Sequence, residues 1–239
     1  MNKLIVVPVL CGLLLGCDGN KDEQSQFEAA SKQVLSAADP LKEFNKFVAQ
    51  AGDYGKDCGE RGLEMILGVS PSRRAACNER LSIEKKIVMA SIDKGSQSAL
   101  IFLFNVNPKH PAVYDEDLPD EYVEKQRERI VELARTLPPK KENKEIFSVA
   151  GNYLQYGVRV TQDSLAAIDA YKKAWQSGDK SAAENISEIY SFLGDIPRKY
   201  FWRIRAQSLP ENTEGVNKLS PEEKVLIQRK AADATLADL

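Results

Sequence analysis

Two Ser-x-x-Lys pairs, Ser82 with Lys85 and Ser91 with Lys94, are the first places where this chain could support nucleophilic chemistry. In serine β-lactamases and penicillin-binding proteins such a pair sets a hydroxyl beside a lysine, and S-D-N and K-T-G motifs complete the site. Neither motif follows here, and two matches so close together show how little the spacing alone specifies. The single histidine, His110, stands between Lys109 and Pro111. One imidazole cannot build a His-rich metal site, and any histidine-based activation of a serine would have to use it. The chain has no G-x-S-x-G elbow. Asp115, Glu116, Asp117, Asp120 and Glu121 offer carboxylates to calcium but lack the glycine and the closing glutamate of an EF-hand loop. A helix start or a solvated face accounts for them. The expectation is that the chain is not an enzyme and holds no metal and no cofactor.

Cysteine chemistry is more specific. Cys17 closes Leu14-Leu15-Gly16-Cys17, behind Lys3 and an apolar run from Leu4 to Leu15 that Pro8 interrupts. A basic start, a short apolar stretch and a small residue before the junction make a secretory signal. The run is shorter than the roughly 20 residues of a membrane-spanning helix. The Leu-Leu-Gly-Cys pattern resembles the lipobox of bacterial lipoproteins. That resemblance implies that residues 1–16 are a signal peptide and that Cys17 becomes the first mature residue and carries the lipid, palmitate included. It also implies that Asp18 holds the protein at the inner membrane, facing the periplasm, as in enterobacteria-like sorting. Cys11 would leave with the signal. Cys58 and Cys77 would then form an even pair in an oxidising compartment, where a disulfide between them is expected to contribute about 3 kcal/mol through loop closure. Two separate buried thiols are the alternative. A formal charge of −2 gives no electrostatic basis for binding nucleic acid.

The elements that must position these residues read as helices almost throughout. Residues 17–26 are polar and aperiodic, and are expected to form a flexible tether. Phe27 to Leu35 reads as a helix. Asp39-Pro40 reads as the cap and first turn of another, with Leu41, Phe44, Phe47 and Val48 on one face. Asp53 to Gly62 reads as loop. Ser82 is expected to cap a helix bearing Ile83, Ile87, Val88 and Ile92. Ala99 to Phe104 fits either a buried helix or a strand, and its helical surroundings favour helix. Asn107 to Pro119, with Pro108 and Pro111 inside it, reads as an inserted loop. A helix from Asp120 to Leu137 carries Val123, Ile130, Leu133 and Leu137 and stops at Pro138-Pro139. Ser220-Pro221-Glu222-Glu223 has capping-box spacing for a final helix.

Between these, the second half repeats a pattern. Ala150, Tyr153 and Tyr156 share one helical segment. Gly157 to Asp163 forms a turn, and Ala167, Tyr171, Lys173, Ala174 and Gly178 follow on a second segment. This resembles a Sel-1-like repeat, a relative of the tetratricopeptide repeat. Arg159 stands where that family has its second turn glycine. A second copy has Ala183, Ile186, Ile189, Tyr190 and Leu193, a shortened turn Gly194-Asp195-Ile196-Pro197, then Trp202 and Ala206, with Arg205 in place of the lysine. A fainter echo is Ala90, Gly95 and Ala99. The resemblance implies stacked antiparallel helix pairs, with alanines allowing close approach and Tyr171 and Trp202 filling the groove of the next helix. The basic and aromatic run Arg198 to Arg205 could face a partner or a lipid headgroup. The repeat register accounts for it as a helix with aromatics inward and arginines outward.

The sequence therefore leads to an all-α chain: a short α-solenoid of Sel-1-like helix pairs with an inserted loop and a C-terminal capping helix. Its expected divisions are the signal 1–16, the tether 17–26, a helical region 27–137 with a degenerate repeat, and the repeats and cap over 138–239. The resemblance implies a membrane-anchored protein–protein interaction module, an immunity protein or inhibitor of a secreted antibacterial effector. The alternative is an envelope scaffold or regulatory adaptor of an inner-membrane complex, with a cell-wall enzyme the least supported. The expected partner is another protein, with the membrane reached through the lipid.

Overall fold

The computed structural model describes residues 19–56, 70–105, 111, 113–157, 160–208, 215–233 and 235–239. Among the described residues the ordered elements are helices and no strand occurs, as the hydrophobic spacing led one to expect. The chain forms two units, Met1–Ala99 with Asn107–Asp117, and Leu100–Val106 with Leu118–Leu239.

The first unit contains α1 (Gly19–Ser36), α2 (Phe44–Gln50) and α3 (Pro71–Asp93). Phe27, Ala30 and Val34 of α1 meet Phe44 and Phe47 of α2, Ala51, and Ile87 of α3 in one apolar cluster. The Phe27 and Phe47 rings pack edge to face at 6.0 Å. From Gly19 on, the expected tether is therefore helix. Once Phe27 anchors α1, extending it backward needs no new nucleus, and Lys21, Glu23, Gln24 and Gln26 are good helix formers. Asp22 lies in the first turn, where the helix dipole favours an acid.

Two other expected starts move. The chain turns over Pro40 to Glu43, and α2 begins only at Phe44. Asp39 accepts a hydrogen bond from Ser96 Oγ at 2.9 Å instead of capping α2. Helix α3 begins at Pro71, with Ser70 accepting from the Arg73 backbone N–H at 3.3 Å. Ser82 is thus an exposed residue inside the helix and not its cap. The stretch from Ala75 to Cys77 carries only small apolar side chains, so hydrophobic spacing does not mark the first turns. Buried Arg80 ties α3 to the turn after α2, its Nη1 donating to the Gly52 and Tyr54 carbonyls at 3.2 and 2.8 Å.

Helix α4 (Gln97–Phe104) takes the helical option and carries the chain into the second unit. There α5 (Asp120–Thr136), α6 (Lys144–Tyr156), α7 (Ser164–Gln176), α8 (Ala182–Phe192), α9 (Ile196–Arg205) and α10 (Pro221–Ala232) follow. Each packs on the next in sequence. Helix α10 starts on the expected capping box: Ser220 Oγ accepts from the Glu223 N–H, and Glu223 Oε2 accepts from the Ser220 N–H.

One corner recurs. At Gly95, Gly178 and Gly194, φ is +91°, +100° and +73°. In each, the glycine N–H bonds the carbonyl three residues back, and the following N–H bonds the carbonyl five back. The residue after the glycine then accepts from the start of the next helix. Ser96 takes the Ala99 N–H, Asp179 the Ser181 N–H and Asp195 the Arg198 N–H. Left-handed φ favours glycine, and the paired backbone bonds satisfy the carbonyls that close a helix.

Candidate functional site

Cys17, Asp18, Cys58 and His110 lie outside the described residues, as do Val158 and Arg159 of the long turn. Cys77 is buried and disulfide-bonded. The residues Ser91, Lys94 and Lys85 of the two Ser-x-x-Lys pairs make structural contacts. Buried Ser91 accepts from the Leu41 N–H at 2.8 Å and donates to the Ile87 carbonyl at 2.9 Å. Lys94 donates to the carbonyls of Leu35 and Ala37, where α1 ends. Lys85 pairs with Asp117 at 3.8 Å. Asp115–Asp117 form a single 3₁₀ turn. Among the described residues no group of three or more His, Cys, Asp and Glu could hold a metal ion.

The repeat residues come together in the second unit. Ala150 on α6, Ala167 and Ala174 on α7 and Ala183 on α8 are fully buried. Gly157 ends α6 with left-handed φ, and Asp163 caps α7 by accepting from the Leu165 and Ala166 N–H groups at 3.1 and 2.9 Å. The Tyr153 ring meets Phe104 edge to face at 5.3 Å. Ala206 forms the C-cap of α9.

Tyr171 packs against α6. A Cβ at Gly151 would stand 2.8 Å from its ring, and its hydroxyl donates to Gln155 Oε1 at 3.1 Å. Two side chains depart from expectation. Tyr156 is exposed, because it lies at the end of α6 beyond the packed face. Arg205 is buried, not outward. Its guanidinium stacks 4.4 Å from the Trp175 ring centre and 4.3 Å from that of Phe201, and donates to the carbonyls of Ala231 and Asp233.

The most elaborate polar site is a cradle built by α7, α8 and α9 around Asp238. Fully buried Trp202 donates its indole N–H to Asp238 Oδ1 at 3.0 Å. The Leu239 N–H reaches the same oxygen at 2.9 Å. Tyr190 donates its hydroxyl to Oδ2 at 2.9 Å. Lys172 Nζ lies 2.5 Å from Oδ2, and Arg198 Nε stands 3.8 Å from it. Arg198 is itself fixed by Asp195 at 2.6 Å. Burial pushes the Asp238 carboxyl up, but the bonds from Lys172, the Leu239 backbone and Trp202, with the Lys172 charge, outweigh it and hold the group below its ordinary value. Burial and the adjacent carboxylate raise the Tyr190 hydroxyl, so it stays protonated and can donate. Two members, Tyr190 and Trp202, are among the residues the sequence led one to expect in a repeat. Lys172 and Asp238 have no sequence signal: Lys172 lies beside the repeat lysine, and Asp238 follows the last patterned helix.

A separate cleft of about 810 Å³ lies in the same unit, between α5 and the turn that leads into α7, where Glu128, Glu132 and Arg135 face Thr161 and Gln162. Among the described residues no helix is long and apolar enough to cross a membrane. The chain matches no protein-family model, no curated protein and no solved structure.

Proposed function

We propose that this chain is a lipid-anchored, periplasm-facing interaction module: a short α-solenoid of Sel-1-like helix pairs, tied to the inner membrane through Cys17, that binds and neutralises a secreted antibacterial effector. The observation that carries the reading is the run of helices α5 to α10, each packed on the next, with one glycine corner recurring at Gly178 and Gly194. Stacks of this kind bury apolar faces between neighbouring pairs and leave extended faces for a partner. Large apolar side chains remain outside that packing. Phe192 is 87% exposed, and Leu193, Tyr156 and Leu165 are more than half or half exposed at helix ends of the same unit. Phe192 and Leu193 are consecutive in the chain, and their exposed apolar surface supports contact with a partner. Helix α10 buries only Ile227 and Ala231 and turns its charges outward, which suits a terminal cap.

The anchor rests on Leu14-Leu15-Gly16-Cys17 behind its apolar run. Labelled palmitate should enter the wild-type chain and not the Cys17→Ala variant, which should move to the soluble periplasm. A wild-type distribution of that variant overturns the anchor. The immunity role rests on the lipoprotein resemblance. Cells lacking the gene should die when a toxin encoded beside it is expressed in the periplasm, and restored expression should protect them. Equal survival with and without the gene removes the immunity role.

A further inference from the structure

The cradle around Asp238 is built like a ligand site. Two cations, Lys172 and Arg198, and two neutral donors, the Tyr190 hydroxyl and the Trp202 indole N–H, converge from three helices on one carboxylate. The segment that delivers the carboxylate is plain by comparison. Residues 235–239 have no regular structure, and Thr235 and Ala237 are exposed. The side chain of Thr235 bonds only backwards, to Asp233. Trp202 and Tyr190 are seated by the packing of α7, α8 and α9, with Trp202 edge to face against Trp175 and Phe201. The cradle's side-chain donors thus belong to the helices, and the segment meets them through Asp238, with Leu236 and Leu239 half-buried.

We propose that this cradle is a binding site for an aspartate-bearing peptide segment of the partner protein, and that residues 235–239 occupy it in cis as a displaceable stand-in. The proposal rests on the interaction reading above and names the chemistry that reading would recognise. A carboxylate held by charged and neutral donors together gains strong, directional hydrogen bonds. An exposed aspartate with an aliphatic neighbour, as in Ala237-Asp238-Leu239, is the matching ligand. Because the cis segment is tethered, its effective concentration is on the order of millimolar, so a partner must either add contacts or arrive when the segment has left.

The test uses the full chain and a labelled peptide with the sequence of residues 234–239, acetylated and amidated so that its only carboxylate is the aspartate side chain. In the Asp238→Ala variant the peptide should bind at least about tenfold more tightly than in the wild type. A peptide with asparagine in place of aspartate should bind neither, and adding Lys172→Met or Trp202→Phe to Asp238→Ala should remove the gain. Equal binding by wild type and a folded Asp238→Ala variant, or equal binding of the asparagine peptide, overturns the proposal and makes Asp238 a fixed pin. If Asp238→Ala does not fold, the wild type decides. Excess peptide should then speed amide hydrogen exchange across residues 235–239, and unchanged exchange overturns the proposal. A toxin bound equally by wild type and by Lys172→Met would sink the cradle while leaving the interaction reading intact. Peptide binding in a chain that protects against no toxin would do the reverse.

Discussion

Lys173 on α7 and Arg205 on α9 do the same work: both cations end on the carbonyls that close another helix. Lys173 Nζ donates to Ala134, Arg135 and Leu137 at the end of α5, at 2.7, 2.8 and 3.3 Å. Arg205 Nε and Nη2 donate to Ala231 and Asp233 at the end of α10. One reaches back along the chain and the other forward, so the two cations tie α5 and α10 to the helices between them. Helix C-termini carry partial negative charge and unpaired carbonyls, and a cation there satisfies both. Lys173→Met is expected to lower stability by about 1–2 kcal/mol. Arg205→Met is expected to cost about 2–3 kcal/mol, because its guanidinium is buried against Trp175 and Phe201 and its loss strips the buried Ala231 carbonyl and the Asp233 carbonyl of a donor. Urea unfolding midpoints check both, and a loss under about 0.3 kcal/mol in each would mean that water serves those carbonyls as well.

The three glycine corners can be compared directly. A Cβ at Gly95, Gly178 or Gly194 would find nothing within 4 Å, so substitution there meets no packing neighbour. The cost of alanine is then the left-handed backbone alone, about 1–2 kcal/mol at each site. Thermal or urea unfolding of Gly95→Ala, Gly178→Ala and Gly194→Ala should give three similar losses. A neutral Gly95→Ala beside two costly partners would separate the Gly95 corner from the others.

The corners were readable because a glycine followed by a capping residue leaves a local trace, as at Gly178-Asp179 and Gly194-Asp195, and the buried alanines follow from helical spacing. Ser220 and Glu223 were readable for the same reason. The starts of α2 and α3 were not. Pro40 looks like a helix opener but sits in a turn, and Ser70 caps a helix whose first turns bury little. The candidate site was legible only in part. Tyr190 and Trp202 were marked by the repeat, whereas Lys172 and Asp238 meet across 66 residues of chain by tertiary packing alone, a separation evident from their numbers. No local pattern encodes such a meeting.

Gly151 is a different kind of glycine. Its helical backbone is ordinary, and what it supplies is room, since an added Cβ would stand 2.8 Å from the Tyr171 ring. The ring is buried and hydrogen-bonded to Gln155, so it has little freedom to withdraw. Gly151→Ala should therefore cost about 1–3 kcal/mol despite alanine's better helix propensity. The same substitution in a Tyr171→Leu background should cost much less. A double-mutant cycle with additive losses would show that the two residues do not share that space.

The disulfide at Cys77 leaves its partner to be fixed by chemistry. Cys58 is the expected partner, and a digest without reductant should yield a peptide containing Cys58 joined to one containing Cys77. Reduction should lower stability by about 3 kcal/mol by releasing the loop between them. A Cys58 peptide that alkylates freely before reduction would break the pairing.

Asp238 should give the second unit an acid-sensitive component. Its carboxyl titrates below the ordinary carboxylate value when folded, so across that range the unfolded chain binds more protons than the folded one. Stability from this group is then complete well above the ordinary carboxylate range and is lost as pH falls through the lower folded value. Lys172 and Arg198 face Asp238 from α7 and α9, and the Tyr190 hydroxyl, raised by burial and the adjacent carboxylate, donates to it from α8. Asp195, which pairs with Arg198, is present in both chains, so comparing wild type with Asp238→Asn isolates the part played by Asp238. At neutral pH Asp238→Asn should cost about 1–2 kcal/mol, since an amide cannot replace the charge-assisted bonds. The gap between the two urea midpoints should hold down to about pH 5 and close as the solution is acidified further. A gap that stays constant to the lowest pH at which both chains fold would mean that the carboxylate's charge plays no part in holding residues 235–239 to the helices.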